Sequence, residues 1–329
     1  MDISISKFYK GAKALYSFVF DDGCYLDSTL ETYETFKKVE KETGVKIKAT
    51  SAQTVNFINS ELKTMWDKLL AEGVYDISAH SITHCLCYNL DTPEEKRRYE
   101  AEESKKLLEK MYPSQKIISF VIPNGDDTKE GREILKDYYF ATRSGHDYIN
   151  DVDNLDWYNI GTFTAKFGYS LADYTENIDK TIEKGGWSVQ LNHWLSHKEK
   201  DAFHAQKADT FLPECMYLAK KCLFGDICVM SFNEAVKYYR EREHAKIEII
   251  SKTDRGVSLK INCPLDKEIF TQKLTLEIKS PEKVTITQKA YTPAGILATV
   301  LPVCEKNGAF YADVLPDAEI DISQLCFPA

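Results

Sequence analysis

The chain has 329 residues, 43% apolar and 28% charged, with 15 glycines and 10 prolines, a composition that supports a globular core of normal size. Its net charge of −9, with no cluster of Lys and Arg, argues against a nucleic-acid partner, and no stretch approaches the ~18 apolar residues that cross a membrane. The opening MDISISKFYKGAKALYSFVF has no basic segment followed by a long apolar run, so no signal peptide is read and the expected location is cytoplasmic, a trimmed secreted form being the alternative. The nine cysteines include one close pair, Cys85 and Cys87, whose C-x-C spacing is not that of a zinc knuckle. They read as free thiols in a reducing compartment.

From residue 14 to about 242, apolar runs alternate with amphipathic ones. ALYSFVF (14–20), VKIKATS (45–51), VYDISA (74–79), KIISFVI (116–122), YYFATR (138–143), WYNIGTF (157–163), WSVQLNH (187–193) and ICVMSF (227–232) read as strands. Helical periodicity falls at 54–72, 92–111 and 171–184, the second opening on Thr92 as a cap with Pro93 in the first turn. This repeated β-then-α order at this length predicts a parallel sheet closed into a barrel, with chemistry at the C-terminal ends of its strands. After about residue 244 the pattern turns to period two: KIEIIS, VSLKIN, KLTLEIK, VTITQK and ILATVL, parted by turn residues. The expected class is α/β, with a distorted (β/α) barrel over residues 1–243 and an antiparallel β-sandwich over 244–329. Three roles stay open for the second module: binding glycan, forming an oligomer, or covering barrel surface.

Five segments carry candidate chemistry. Phe18-Val19-Phe20-Asp21-Asp22-Gly23 sets two carboxylates after an apolar strand. D-D-G is also ordinary turn chemistry. His80-Ser81-Ile82-Thr83-His84 follows VYDISA, and two His at i and i+4 on one helical turn can chelate a divalent ion. The segment lacks the Glu of a zincin, so a base must come from Asp21 or Asp22. Trp187-Ser188-Val189-Gln190-Leu191-Asn192-His193 is another strand ending in His, with Trp194 and His197 beyond it; by themselves these His read equally as capping or core-edge residues. Phe120-Val121-Ile122-Pro123-Asn124-Gly125 reads by itself as a strand and turn, and Asp156-Trp157 as a loop joining a strand. Cys24, Cys85 and Cys87 flank these segments without an activating base. Asp126-Asp127 reads as a cap for TKEGREIL. His146 and Asp147 fall on a loop within reach of a substrate, whereas Tyr138 and Tyr139 read as core.

Taken in order, F-D-D-G, H-S-x-x-H, F-x-x-P-x-G, D-W and L-x-H resemble the motifs of the NodB-type polysaccharide deacetylases, carbohydrate esterase family 4, over roughly residues 14–242. The resemblance implies Asp21 as general base, and Asp22, His80 and His84 as ligands of one divalent metal ion, Zn2+ being the first choice. It implies His193 as general acid, Leu191 lining the acetyl pocket and Trp157 forming a hydrophobic wall. Asn124 stands where Tyr or Phe is common, and its backbone N–H is an expected oxyanion donor. The family places an Arg that braces the base directly after the Phe of the third motif. Here that residue is Val121, and Arg143, at the next strand end, is the candidate substitute. The implied reaction removes an N-acetyl, less often an O-acetyl, group from a carbohydrate. The alternatives are an amidohydrolase acting on a small non-sugar amide, or a catalytically weak carbohydrate-binding protein. Retention of both Asp21 and His193 argues against the latter.

Overall fold

The computed structural model describes residues 1–84, 92–125, 128–198, 205–292 and 295–325. Cys85, Cys87, Asp126 and Asp127 lie outside the described residues.

The chain folds as two units, Lys13–Val236 and a second made of Met1–Ala12 with Lys237–Ala329. The first is the barrel. Seven parallel strands, β1 (Leu15–Phe20), β2 (Ala49–Gln53), β3 (Tyr75–Ala79), β4 (Ser119–Val121), β5 (Ala141–Asp147), β6 (Ile160–Thr164) and β7 (Trp187–Asn192), pair in chain order, and β7 pairs back onto β1 to close the ring. Every residue of β1, β2 and β7 is buried, as parallel strands covered by helices require. The eighth expected strand, ICVMSF, supplies only Cys228–Val229 and lies outside the ring. It pairs with Leu15 and Tyr16, the start of β1, whereas β2 pairs only from Phe18 onward.

The helices are α1 (Leu26–Thr43), α2 (Ser60–Ala71), α3 (Glu94–Met111), α4 (Lys129–Leu135), α5 (Leu171–Lys184), α6 (Ala208–Leu223) and α7 (Phe232–His244). Their ends follow local chemistry. Asn59 caps α2 by accepting from Leu62 N at 2.9 Å, and Ser170 and Asp173 form a reciprocal capping box on α5. α1 ends where Gly44 takes φ 74°. One expected cap differs: α3 begins after Pro93, with no side-chain cap. Thr128 caps α4, accepting from Gly131 N at 3.0 Å. No helix among the described residues is long and apolar enough to cross a membrane.

Side chains alternate along β1. Phe18 and Phe20 pack their rings against Phe211 of α6, and Phe18 also meets Phe36 of α1 at 5.8 Å. Ser17, on the opposite face, accepts from Trp187 Nε1 at 3.0 Å. At the start of the strands Asp76 accepts from Thr50 (2.6 Å), from Asn233 Nδ2 (3.0 Å) and from the Ser231 hydroxyl, while Phe232 stacks on Trp187. The segment entering α7 thus plugs that end of the barrel with satisfied polar groups, and the opposite end is free to carry a site.

A polar network also runs beneath α5 and α6. Tyr16 donates to Gln190 Oε1 (2.5 Å), Gln190 Nε2 to Gln206 Oε1 (3.2 Å), and Gln206 Nε2 to Glu214 Oε2 (2.6 Å). Burial pushes the Glu214 carboxyl up from an ordinary 4.5 to about 8. The folded protein therefore holds this proton between those two values while the unfolded chain releases it, and stability falls as pH rises from about 4.5 to about 8. Glu214→Gln removes that slope. Its urea midpoint is expected to match the parent near pH 4 and to exceed it near pH 9. Equal midpoints at pH 9 would show that Glu214 is not a source of the slope.

The second unit consists of two antiparallel sheets. One orders Asp2–Ile5, Leu274–Lys279, Ala309–Val314 and Cys304–Lys306; the other orders Lys246–Lys252, Gly256–Asn262, Glu319–Gln324, Val284–Thr292 and Gly295–Val300. Val257, Leu259 and Ile261 alternate inward, as do Ile320 and Ile322. Residues 1–12, expected in the barrel, belong to this unit instead. Asp2–Ile5 pairs antiparallel with Ile5 opposite Leu276, and Tyr238 OH donates to Ser6 O at 2.9 Å. Four residues with no long apolar run give no sign of this distant partner. The boundary between units also moves from 243/244 to 236/237, inside α7.

Candidate metal centre and active site

The site is built where β1, β3, β5 and β7 end. Past β1 the backbone turns sharply: Asp21 N donates to Asn192 O (2.8 Å), Asp22 takes φ 72° and Gly23 φ 74°. A Cβ on Gly23 would lie 2.7 Å from Gln53 Cγ, so this position needs glycine for space as well as conformation. The turn sends the two carboxylates to different partners. Asp22 Oδ2 accepts from Tyr25 OH at 2.8 Å, which leaves Oδ1 facing His80 Nε2 at 3.6 Å and His84 Nε2 at 3.2 Å.

His80 is fully buried and its Nδ1 lies 2.8 Å from Val121 O. A carbonyl can only accept, so Nδ1 carries the proton and the neutral ring turns its Nε2 lone pair toward Asp22. Burial pushes His80 down to about 4, against the pull of Asp21 and Asp22. His84 is raised, first by its hydrogen bond with Asp22. For Asp22, burial works toward a higher value, but the contact with His84, then the nearness of His80 and His193 and the bond from Tyr25 OH, prevail and hold it well below the usual carboxylate range.

The route by which the two His converge differs from the sequence reading. Residues 80–84 form no helical turn: Ser81 has φ 67° and His84 φ 54°, both left-handed and both without glycine. Ser81 Oγ accepts from His84 N at 2.9 Å, while Ser81 O and Ile82 O accept from Val55 N and Asn56 N. A strained turn braced by the loop after β2 does what an i, i+4 helix was expected to do.

One ligand atom from each of Asp22, His80 and His84 lies within 4.8 Å of the others. The separations of 3.6 and 3.2 Å from Asp22 Oδ1 to the two imidazoles suit a single ion with bonds of about 2.0–2.2 Å. The residues also pass a chemical test. Asp22 Oδ1 is buried and faces the Nε2 lone pair of the neutral His80 ring, a costly arrangement that a cation in front of it removes. A carboxylate with two imidazoles suits zinc and other divalent ions.

Beside this triad Asp21 is braced. Arg143 Nη2 donates to Asp21 Oδ2 at 2.5 Å, and both side chains are buried. Arg143 is paired in register with Val121 on the adjacent strand, so the guanidinium reaches the carboxylate from one strand over. Asp21 Oδ1 is buried and makes no hydrogen bond among the described residues.

A cavity of about 520 Å³ opens over these groups. Asp21, Asp22, His80, His84, Arg143 and His193 line it, together with Asn124 and Leu191. Of the expected site residues, Trp157 is not among its walls; its backbone carbonyl accepts from Thr142 N at 2.8 Å. Trp194 and Tyr25 stand there instead, rings 4.8 Å apart and tilted by 34°. His146 also lines the cavity, whereas His197 turns away to Glu31 at 3.0 Å. Gly125 and Gly145 touch backbone to backbone on one wall, where a Cβ on Gly145 would meet Gly125 Cα at 2.9 Å. Cys24 is pushed up to about 11 by burial and then by the charge of Asp22, so it stays a thiol at neutral pH. Tyr25, and Glu100, whose carboxylate accepts from Ile82 N in the strained turn at 2.8 Å, are not signalled by the sequence, since neither belongs to a motif. Trp194 carries no signal beyond its place after His193.

No protein-family profile matches the chain. Among characterised proteins, a gellan lyase from a Bacillus species is 23% identical over 235 residues, which is 65% of this chain and 9% of that protein. The chain therefore spans under a tenth of that relative. Several solved structures to which it is similar are family 4 carbohydrate esterases or polysaccharide deacetylases. The family 4 carbohydrate esterase from Streptomyces lividans aligns with a TM-score of 0.42 and 14% identity, covering 66% of this chain and 92% of that one. A GH30 endoxylanase from Clostridium papyrosolvens aligns with a TM-score of 0.42 and 9% identity, covering 99% and 100%.

Proposed function

We propose that this chain is a metal-dependent hydrolase that removes acetyl groups, N-acetyl first, from a carbohydrate. The observation that carries the reading is the meeting, in one cavity, of the Asp22, His80 and His84 cluster with an Arg-braced Asp21 and with His193. The motif order over residues 14–242 supports the same chemistry. Asp22, His80 and His84 would hold the ion, with zinc the first choice. A bound divalent ion supplies a Lewis acid that polarises a carbonyl and makes water more acidic.

The chain's own groups do the rest. Asp21 is held through Oδ2 by Arg143, which leaves Oδ1 to take a proton from the water that attacks the acetyl carbon. His193 gives a proton to the departing amine as the C–N bond breaks, and acetate and the free amine leave. The backbone N–H of Asn124 is the donor offered to the oxyanion, and Leu191 lines the space for the acetyl methyl. The tilted Tyr25 and Trp194 rings offer apolar faces for a sugar ring.

Acetate release from acetylated chito-oligosaccharides tests the reading. Release is expected to vanish with chelator, return with Zn2+ and be absent in His80→Ala. Wild-type protein that binds one ion per chain yet releases no acetate from any sugar would redirect the reading to a small non-sugar amide.

A further inference from the structure

The turn that carries His80 and His84 is closed from behind by an acid on another element. Glu100, in the middle of α3 and 2% exposed, accepts from Ile82 N at 2.8 Å and from Thr83 N at 3.1 Å through Oε2, and from the Thr83 hydroxyl at 2.7 Å through Oε1. All three donors lie between the two imidazoles. We propose that Glu100 is a positioning residue for the metal centre: its carboxylate clamps the strained turn so that His84 reaches the ion that His80 and Asp22 face. The clamp rests on the metal reading above.

The two His depend on the turn to different degrees. His80 is anchored at its own ring, by Val121 O, and at its own backbone, by Gln53 O and the Thr54 hydroxyl. His84 is half-buried, and its ring lies against Phe57 with centroids 5.7 Å apart. Its direction is set mainly by the backbone of residues 81–84, which holds two left-handed non-glycine residues that a relaxed loop would abandon. Charge-assisted bonds from a buried carboxylate to two successive N–H groups oppose that relaxation. Without them Ile82 N, on a buried residue, becomes an unpaired donor.

Zn2+ affinity, measured on the full chain by competition with a chromophoric chelator, tests the clamp at a temperature where circular dichroism shows each variant folded. Glu100→Ala is expected to bind Zn2+ about 10–100-fold more weakly than wild type, the range seen when groups that orient metal ligands are removed. Glu100→Gln keeps one oxygen for both N–H groups and is expected to stay within a few-fold of wild type. A Glu100→Ala protein with wild-type affinity, or a Glu100→Gln protein as weak as Glu100→Ala, overturns the clamp. If Glu100→Ala does not fold, Thr83→Val, which removes one of the three bonds, is expected to weaken binding several-fold, and unchanged affinity there overturns the clamp equally. A wild-type chain that binds no Zn2+ overturns instead the metal reading beneath it.

Discussion

Asp21→Asn is expected to lower acetate release by about 10²–10⁴-fold, the contribution usual for a general base, while leaving Zn2+ affinity near that of wild type. The two carboxylates of the D-D-G turn are separated by function because they are separated in space. Asp22 Oδ1 faces both imidazoles, while Asp21 is tied to Arg143. An amide at position 21 can still accept from Arg143, but it cannot take the proton of water. The loss should therefore fall on kcat, with KM little changed. Undiminished turnover would remove Asp21 from the base role. Activity and Zn2+ lost together would mean that Asp21 serves the ion rather than the water.

Arg143→Met is expected to lower the free energy of unfolding by about 3–5 kcal/mol, because it leaves the buried Asp21 carboxylate without its counter-charge. Most of that cost is an uncompensated charge, so adding Asp21→Asn should recover a good part of it. A double-mutant cycle by urea denaturation would then show strong coupling between the positions. Additive effects would show that the pair makes no special contribution to stability. Arg143→Lys is not expected to rescue, since an ammonium presents a point charge where the planar fork now reaches across from β5.

How much of this can be read from the sequence varies with the range of the interaction involved. Several barrel strands are readable because they are short apolar runs buried on both faces, as Leu15–Phe20 is, whereas Ala49–Gln53 and Ala141–Asp147 are largely polar. Asp21, Asp22, His80, His84 and His193 are readable because each stands at the end of such a run. The spacing of His80 and His84 points to chelation, but through the wrong local geometry, since nothing in S-I-T announces left-handed φ at Ser81 and His84. Arg143 can be suspected only because Val121 leaves a gap, and its pairing opposite Val121 is a matter of register between strands. Glu100 lies beyond reach: it is one acid among many on the polar helix α3, and only the fold brings it behind the turn. Trp157 stands where the motif order places it, yet the aromatic residues at the cavity are Tyr25 and Trp194.

The strand Asp2–Ile5 bears on the order in which the chain can assemble. It is translated before the barrel, yet its partner, Leu274–Lys279, leaves the ribosome only after the whole barrel sequence has done so. The barrel is thus an insertion in a sheet unit whose first strand must wait, and closing that sheet means joining ends roughly 270 residues apart. If the barrel folds first, as domains completed earlier in synthesis generally do, it shortens the effective tether between the waiting strand and its partner. Slow barrel closure would then delay a sheet with which it shares no strand.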